Sequence, residues 1–159
     1  MSAKARIAAC FRAAVIVAMV ALGASCESPS SVEQFVRIRA KGDDGLYHYT
    51  LDLSDSTARY DVSFYSRIDC NNLKISSLND FLIAVTWISP SGRKYAESVN
   101  FAVHDISPGS DFYSHQYVIP YRSGLAPVEW GLWEMTLRVD SDSRIPGFRG
   151  MGVVCSKTP

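Results

Sequence analysis

From Phe35 onward the apolar residues recur at every second position. In "YHYTLDL", Tyr47, Tyr49, Leu51 and Leu53 fall on one side, and His48, Thr50 and Asp52 on the other. "YDVSFYSRI" sets Tyr60, Val62, Phe64 and Ile68 against Asp61, Ser63 and Arg67. "WEMTLRV" sets Trp133, Met135, Leu137 and Val139 against Glu134, Thr136 and Arg138. Side chains along a strand point to opposite faces in turn, so this period of two predicts half-buried strands.

"FLIAVTWI" (Phe81 to Ile88) is apolar throughout, the pattern of a central strand covered on both sides. It is followed by "SPSG", in which Pro90 fixes φ and Gly92 permits the return. "RKYAESVNFAV" then alternates again, so residues 81–103 read as a hairpin. "HQYVIPY" and "FRGMGVV" supply two further strands, the first placed by Pro120 at a sheet edge or a strand end. No sustained helical stripe follows residue 25. Seven or eight short strands with polar turns predict an all-β chain, a single β-sandwich of jelly-roll or immunoglobulin-like type.

The first 25 residues have a different pattern. "MSAKARIAACFR" is basic, "AAVIVAMVAL" (Ala13 to Leu22) is apolar, and "GASC" follows. The apolar run is shorter than the roughly 20 residues a bilayer-spanning helix needs, and matches the core of a signal peptide. Small residues before a cysteine resemble the bacterial lipoprotein signal, which is cleaved before the cysteine and lipidated on its sulfur and amine. Cys26 is therefore the expected lipidation site. The alternatives are ordinary secretion after cleavage behind Ala24, for which Leu22 is poorly placed, and a retained anchor. The expected organisation is a signal peptide at 1–25, a flexible tether at 26–34 and a sandwich domain at 35–157. "ESPSSVEQ" reads as the tether because it has Pro and Ser and no apolar period. The expected location is the cell envelope, lipid-anchored, at the outer membrane facing the periplasm.

Composition adds limits. The 159 residues are 47% hydrophobic and 20% charged, as in a globular core. Formal net charge is zero, but residues 1–25 hold Lys4, Arg6 and Arg12 and no acid, so the remainder carries 13 bases against 16 acids. A net −3 without a basic cluster predicts no nucleic-acid partner.

Four cysteines occur. Cys10 lies in the signal and Cys26 takes lipid. In an oxidising compartment Cys70 and Cys155 are then a candidate disulfide, closing a loop of roughly 85 residues and contributing at most about 4.5 kcal/mol. The alternative is two separate buried thiols.

Few residues are spaced for chemistry. His48, His104 and His115 have no metal-ligand spacing. His104–Asp105 lacks a serine in a Gly-x-Ser-x-Gly elbow. "DSDS" (Asp140 to Ser143) lacks the Gly and distant Glu of a calcium loop. No phosphate loop or Cys-x-x-Cys occurs. The expectation is no enzyme, no metal and no cofactor. The aromatics of "DFYSHQY", Phe112, Tyr113 and Tyr117, form a candidate binding patch, suited to stacking on a sugar or anchoring a protein.

Three stretches together resemble one family: "YDVSFYSRID", "LNDFLIAVTWISPSGRKYAESVNF" and "GLWEMTLRVDSDSRIPGFRGMGVV". Their order is similar to that of the gliding-motility lipoproteins of the Bacteroidetes, the GldH family. The late pieces of that pattern are Gly131, Trp133, Pro146, Gly147, Phe148, Gly152 and Val153. The family's Gly-Lys-Trp segment is missing near "HDISPGSDFYSHQY". The resemblance implies a non-catalytic envelope lipoprotein acting through protein contacts in a gliding- or secretion-associated machine. A glycan-binding lipoprotein using Tyr113, Tyr117 or Trp130 is the alternative expectation.

Overall fold

A computed structural model describes residues 31–71, 74, 77–103 and 113–158. It contains eight strands: β1 (Ser31–Arg37), β2 (Tyr47–Leu53), β3 (Arg59–Asp69), β4 (Phe81–Ile88), β5 (Lys94–Phe101), β6 (Ser114–Leu125), β7 (Gly131–Val139) and β8 (Phe148–Thr158). They form two four-stranded sheets, ordered β1-β8-β3-β6 and β2-β7-β4-β5. Every pairing within them is antiparallel. The chain changes sheet at each connection except the β4–β5 hairpin. This strand order is that of a jelly roll, which selects one of the two sandwich types expected.

The alternation read from the sequence fills the space between the sheets. Tyr47, Tyr49, Leu51 and Leu53 of β2 pack there with Tyr60, Val62, Phe64 and Ile68 of β3 and Trp133, Met135, Leu137 and Val139 of β7. The β4–β5 hairpin closes at Ser89–Arg93, where Ser89 N–H donates to Arg93 O over 2.9 Å and Gly92 adopts φ 85°. Pro120 lies in β6, which is an edge strand, and the ladder to β3 shifts register beside it.

Three expectations need correction. The tether is shorter than residues 26–34, because Ser31 to Gln34 already pair with β8, from Ser31↔Ser156 to Gln34↔Val153. Their polar composition hides a strand that sits at an edge, with one side of its backbone open to water. The folded domain also runs one residue past 157, to Thr158. Finally, β4 is an interior strand of its sheet but is buried on one face only: Ile83, Val85 and Trp87 point inward, while Leu82 is exposed. An unbroken apolar run arises here because the outer face carries Leu82, Ala84 and Ile88 where water would tolerate polar residues.

Both open sides of the sandwich are bridged by side chains. On one side Gln34 of β1 reaches across to β2, its amide donating to Thr50 O over 2.6 Å and accepting from Thr50 N–H at 3.3 Å. On the other, Glu97 of β5 meets Tyr121 and Arg122 of β6.

Tyr65 turns outward on β3 and is nonetheless buried, because its ring lies over Gly152 of β8 and stacks on Phe35 of β1 at 5.5 Å between centroids. A Cβ on Gly152 would come within 2.1 Å of that ring. The glycine is what lets an aromatic ring lie flat on the sheet.

Candidate functional site

The β5–β6 opening contains a groove of about 220 Å³ lined by Trp87, Tyr95, Trp133, Glu97, Arg122 and the segment Leu125–Val128. This is below the roughly 300–1,000 Å³ of sites that enclose drug-sized ligands, so it suits one ring-sized group.

Strand alternation places these residues. Trp87 pairs with both Tyr95 and Met135 across the sheet, so Trp87, Tyr95 and the inward face of β7 share a side. On β5 the same parity carries Tyr95, Glu97, Val99 and Phe101, which sets a carboxylate on the inward-facing row. Glu97 lies at the rim of the two sheets, where a charge can stay hydrated on one side and bonded on the other. The Arg122 guanidinium donates to both of its oxygens, at 2.5 and 2.7 Å. Tyr121 donates its hydroxyl to Glu97 and receives the Trp87 indole N–H at 2.8 Å. Burial, with the hydrogen bond to Glu97, pushes the Tyr121 phenol well above its ordinary range. Tyr121 therefore stays a neutral donor at any physiological pH. Arg122 also lies 4.5 Å over the Tyr121 ring, a cation–π contact that fixes the guanidinium plane.

The aromatic wall is equally fixed. Trp133 packs edge-on against Trp87 at 5.9 Å and tilts against Tyr95 at 5.9 Å. Its indole N–H donates to Glu129 O over 2.9 Å. Glu129 in turn accepts from the Ser91 hydroxyl at 2.7 Å and the Ser91 N–H at 3.0 Å, which ties the β6–β7 loop to the β4–β5 turn. Those hydrogen bonds, the Ser91 hydroxyl first, hold the Glu129 carboxyl below the usual range. The result is a pre-set slot: an apolar wall facing a fixed carboxylate–guanidinium pair.

The residues singled out from sequence are scattered. Cys26, Phe112, His104 and Asp105 lie outside the described residues. Tyr113 is exposed, but at the end of the sandwich opposite the groove. Tyr117 is a correction: it is 0% exposed, on the inward face of β6, so it cannot belong to a surface patch. Trp130 is exposed in the β6–β7 loop.

The disulfide is also corrected. Cys70 and Cys155 are free, buried thiols. Cys155 stands opposite Val62 on β3, eight residues from Cys70. At about 3.3 Å per strand residue that is roughly 26 Å, whereas bonded Cα atoms lie within about 7 Å.

His115 is buried and its Nε2 lies 3.2 Å from Cys70 O. His48 pairs with Asp44 at the surface. In "DSDS" the Asp142 carboxylate turns inward, accepting from the Tyr47 hydroxyl at 2.6 Å and the Lys41 ammonium at 2.7 Å. It is a buried structural bond and not half a calcium loop. Among the described residues no group of three His, Cys, Asp or Glu side chains is placed to hold a metal ion.

Sequence reasoning missed Tyr95, Glu97, Arg122 and Trp133 as a unit. One signal was available: in "KYAESVNF" a carboxylate occupies the inward parity, and a polar residue in an apolar row is the informative exception.

No family model matches the chain, and no curated protein matches it. Among solved structures it is similar to a crystal structure of a protein from Sulfurospirillum deleyianum, at 10% identity and a TM-score of 0.39, covering 82% of this chain and 99% of that one. That likeness is too remote to bear on function.

Proposed function

We propose that this chain is a non-catalytic lipoprotein of the cell envelope, anchored through Cys26 at the outer membrane and facing the periplasm, that works by binding a saccharide ring in the β5–β6 groove. The observation that carries the reading is the exposed Tyr95 ring, backed by the buried Trp133, opposite the Glu97–Arg122 pair. A pyranose has an apolar C–H face and an edge of hydroxyls. The wall suits the first, and vicinal hydroxyls match a carboxylate and guanidinium held side by side. The glycan expectation thereby moves from Tyr113, Tyr117 and Trp130 to Tyr95, Trp133, Glu97 and Arg122.

The test is an NMR titration of the domain with soluble hexose and N-acetylhexosamine oligosaccharides, following the Trp87 and Trp133 indole N–H signals. Saturable shifts that Tyr95→Ala and Arg122→Ala each abolish are expected. Unmoved indole signals at millimolar sugar overturn the saccharide reading. The anchor is tested separately by labelling with a palmitate analogue: equal label on wild type and Cys26→Ser overturns it.

A second reading, in which the protein serves a gliding- or secretion-associated machine through protein contacts, is supported by the resemblance to the GldH family. The open backbone edge of β5 also favours it, since an edge strand can accept a strand from a partner. Crosslinking in intact envelopes distinguishes it: a stable protein partner captured through β5 favours this reading.

A further inference from the structure

The strand connections sort the loops cleanly. The β2–β3 loop, the β4–β5 turn and the β6–β7 loop all lie at the end where β1 begins with Ser31 and β8 ends. Of the seven exposed large apolar residues among those described, Val32, Tyr95, Val128, Trp130 and Leu132 are at this end, and Leu82 and Tyr113 are at the other. Val128 is 72% exposed, Leu132 63% and Trp130 43%. Scattered single apolar residues need no explanation, but three around one loop mark a contact surface.

The loop is shaped to show them. "APVEW" (Ala126 to Trp130) contains one acid, Glu129, and its carboxylate is turned back onto Ser91. The tip thus displays Val128 and Trp130 and withholds its negative charge. Arg93, beside it in the β4–β5 turn and largely exposed, has its Nε 4.0 Å from Glu129, and Lys94 follows. Of the acids at this end, Asp55 lies in the β2–β3 loop, while Asp52, cross-strand from Leu132, accepts the Ser54 N–H, and Asp61 accepts the Gly124 N–H, so both nearer carboxylates are tied to backbone. An apolar tip with a tryptophan and flanking cations matches the order of a bilayer surface: acyl boundary, interface, anionic headgroups.

The anchor fixes what covers this surface. Ser31 is five residues along the chain from Cys26, and a fully extended chain spans at most about 18 Å over that interval. A lipid on Cys26 therefore holds the Ser31 end of the sandwich against the membrane. Contact made from a tethered position needs little intrinsic affinity, because the second binding event is intramolecular.

We infer that the β6–β7 loop is a second membrane contact, with Val128, Trp130 and Leu132 seated in the bilayer interface and Arg93 and Lys94 at the headgroups. The inference rests on the lipid-anchor reading of Cys26.

The acylated chain, reconstituted in phosphatidylethanolamine–phosphatidylglycerol vesicles with or without brominated acyl chains, tests it by tryptophan emission. Trp87 and Trp133 are buried, so Trp130 is the one of three tryptophans in reach of bromine. The brominated vesicles should quench about a third of the emission, and Trp130→Phe should remove that quenching. Val128→Asp with Leu132→Asp should also abolish it while leaving the circular dichroism unchanged. Equal emission from both vesicles, with the acyl label on Cys26 verified, overturns the inference while the anchor stands. Crosslinking of the loop to an envelope protein in place of lipid also overturns it. Absence of the label overturns the anchor, and the membrane contact falls with it.

Discussion

Removing the Asp142 carboxylate should be among the most damaging single changes outside the apolar core. Asp142 sits in the short 3₁₀ turn that precedes β8, following Ser141 in the left-handed region at φ 63°. Its Oδ2 accepts from the Tyr47 hydroxyl and the Lys41 ammonium, joining the start of β2 to a loop 95 residues away. The phenol of Tyr47 is pushed far above its ordinary range by burial first and by this bond second, so it always carries the proton it donates. In Asp142→Ala the Tyr47 hydroxyl is left buried without an acceptor, which costs about 1–3 kcal/mol. Lys41 is 23% exposed and can turn to water, so losing its pair adds no more than about 1 kcal/mol. The expected total is about 1–4 kcal/mol. Asp142→Asn keeps an acceptor for Tyr47 and should cost about 1 kcal/mol. Urea unfolding followed by tryptophan emission measures each. Because Tyr47→Phe removes the donor, the double variant should be less damaged than the two single losses summed, by about 1–2 kcal/mol. Strict additivity, or a loss below about 0.5 kcal/mol in Asp142→Ala, would refute the reasoning.

Three further outcomes follow from the packing. Burial pushes the Cys155 thiol up to about 11 and raises that of Cys70 as well, so native protein should react slowly with Ellman's reagent and yield both thiols in denaturant, with identical mass before and after reduction. Gly152→Ala should cost about 1–3 kcal/mol by overpacking, and most of that cost should vanish in a Tyr65→Ala background, since the ring it strikes is gone; thermal melts of the four proteins decide it. Burial alone would raise Asp69, but hydrogen bonds from Arg149, Arg67 and Ser114 outweigh it and hold the carboxyl low. A depressed carboxylate stabilises the fold above the unfolded value of about 3.9 and loses that contribution as pH falls through its folded value, so Asp69→Asn should flatten the acid limb of a stability–pH curve.

The alternation of β2, β3 and β7 was readable because each has one dry face, and a period of two follows from that geometry alone. The sandwich follows from the number of such strands. The jelly-roll order does not: which strands become neighbours depends on long-range pairing such as β1 with β8, and no local period encodes it. β1 was hidden because Glu33 and Gln34 look like tether, although Val32, Gln34 and Val36 share one parity. The groove was less legible still. Its residues come from β4, β5, β6 and β7, and Arg122 and Glu97 acquire their meaning only from facing each other across two sheets. Tyr117 misled because an aromatic in a polar stretch looks exposed until its strand's parity is known, and Pro120 disturbs that parity nearby.

The pairing of β1 with β8 has a mechanical side. With a lipid on Cys26, any drag on the domain enters through Ser31. The backbone bonds between antiparallel strands lie across the strand direction. If the load is taken up at the far end, near Arg37 and Phe148, all seven residue pairs of the β1–β8 ladder are sheared together, and the bridge from Gln34 to Thr50 shares the strain. If the load is taken up at the near end, against Ser156, the same ladder opens one pair at a time. The domain is thus built as a one-way buckle, strong against a pull that runs the length of the sandwich and weak against one that peels its first strand away.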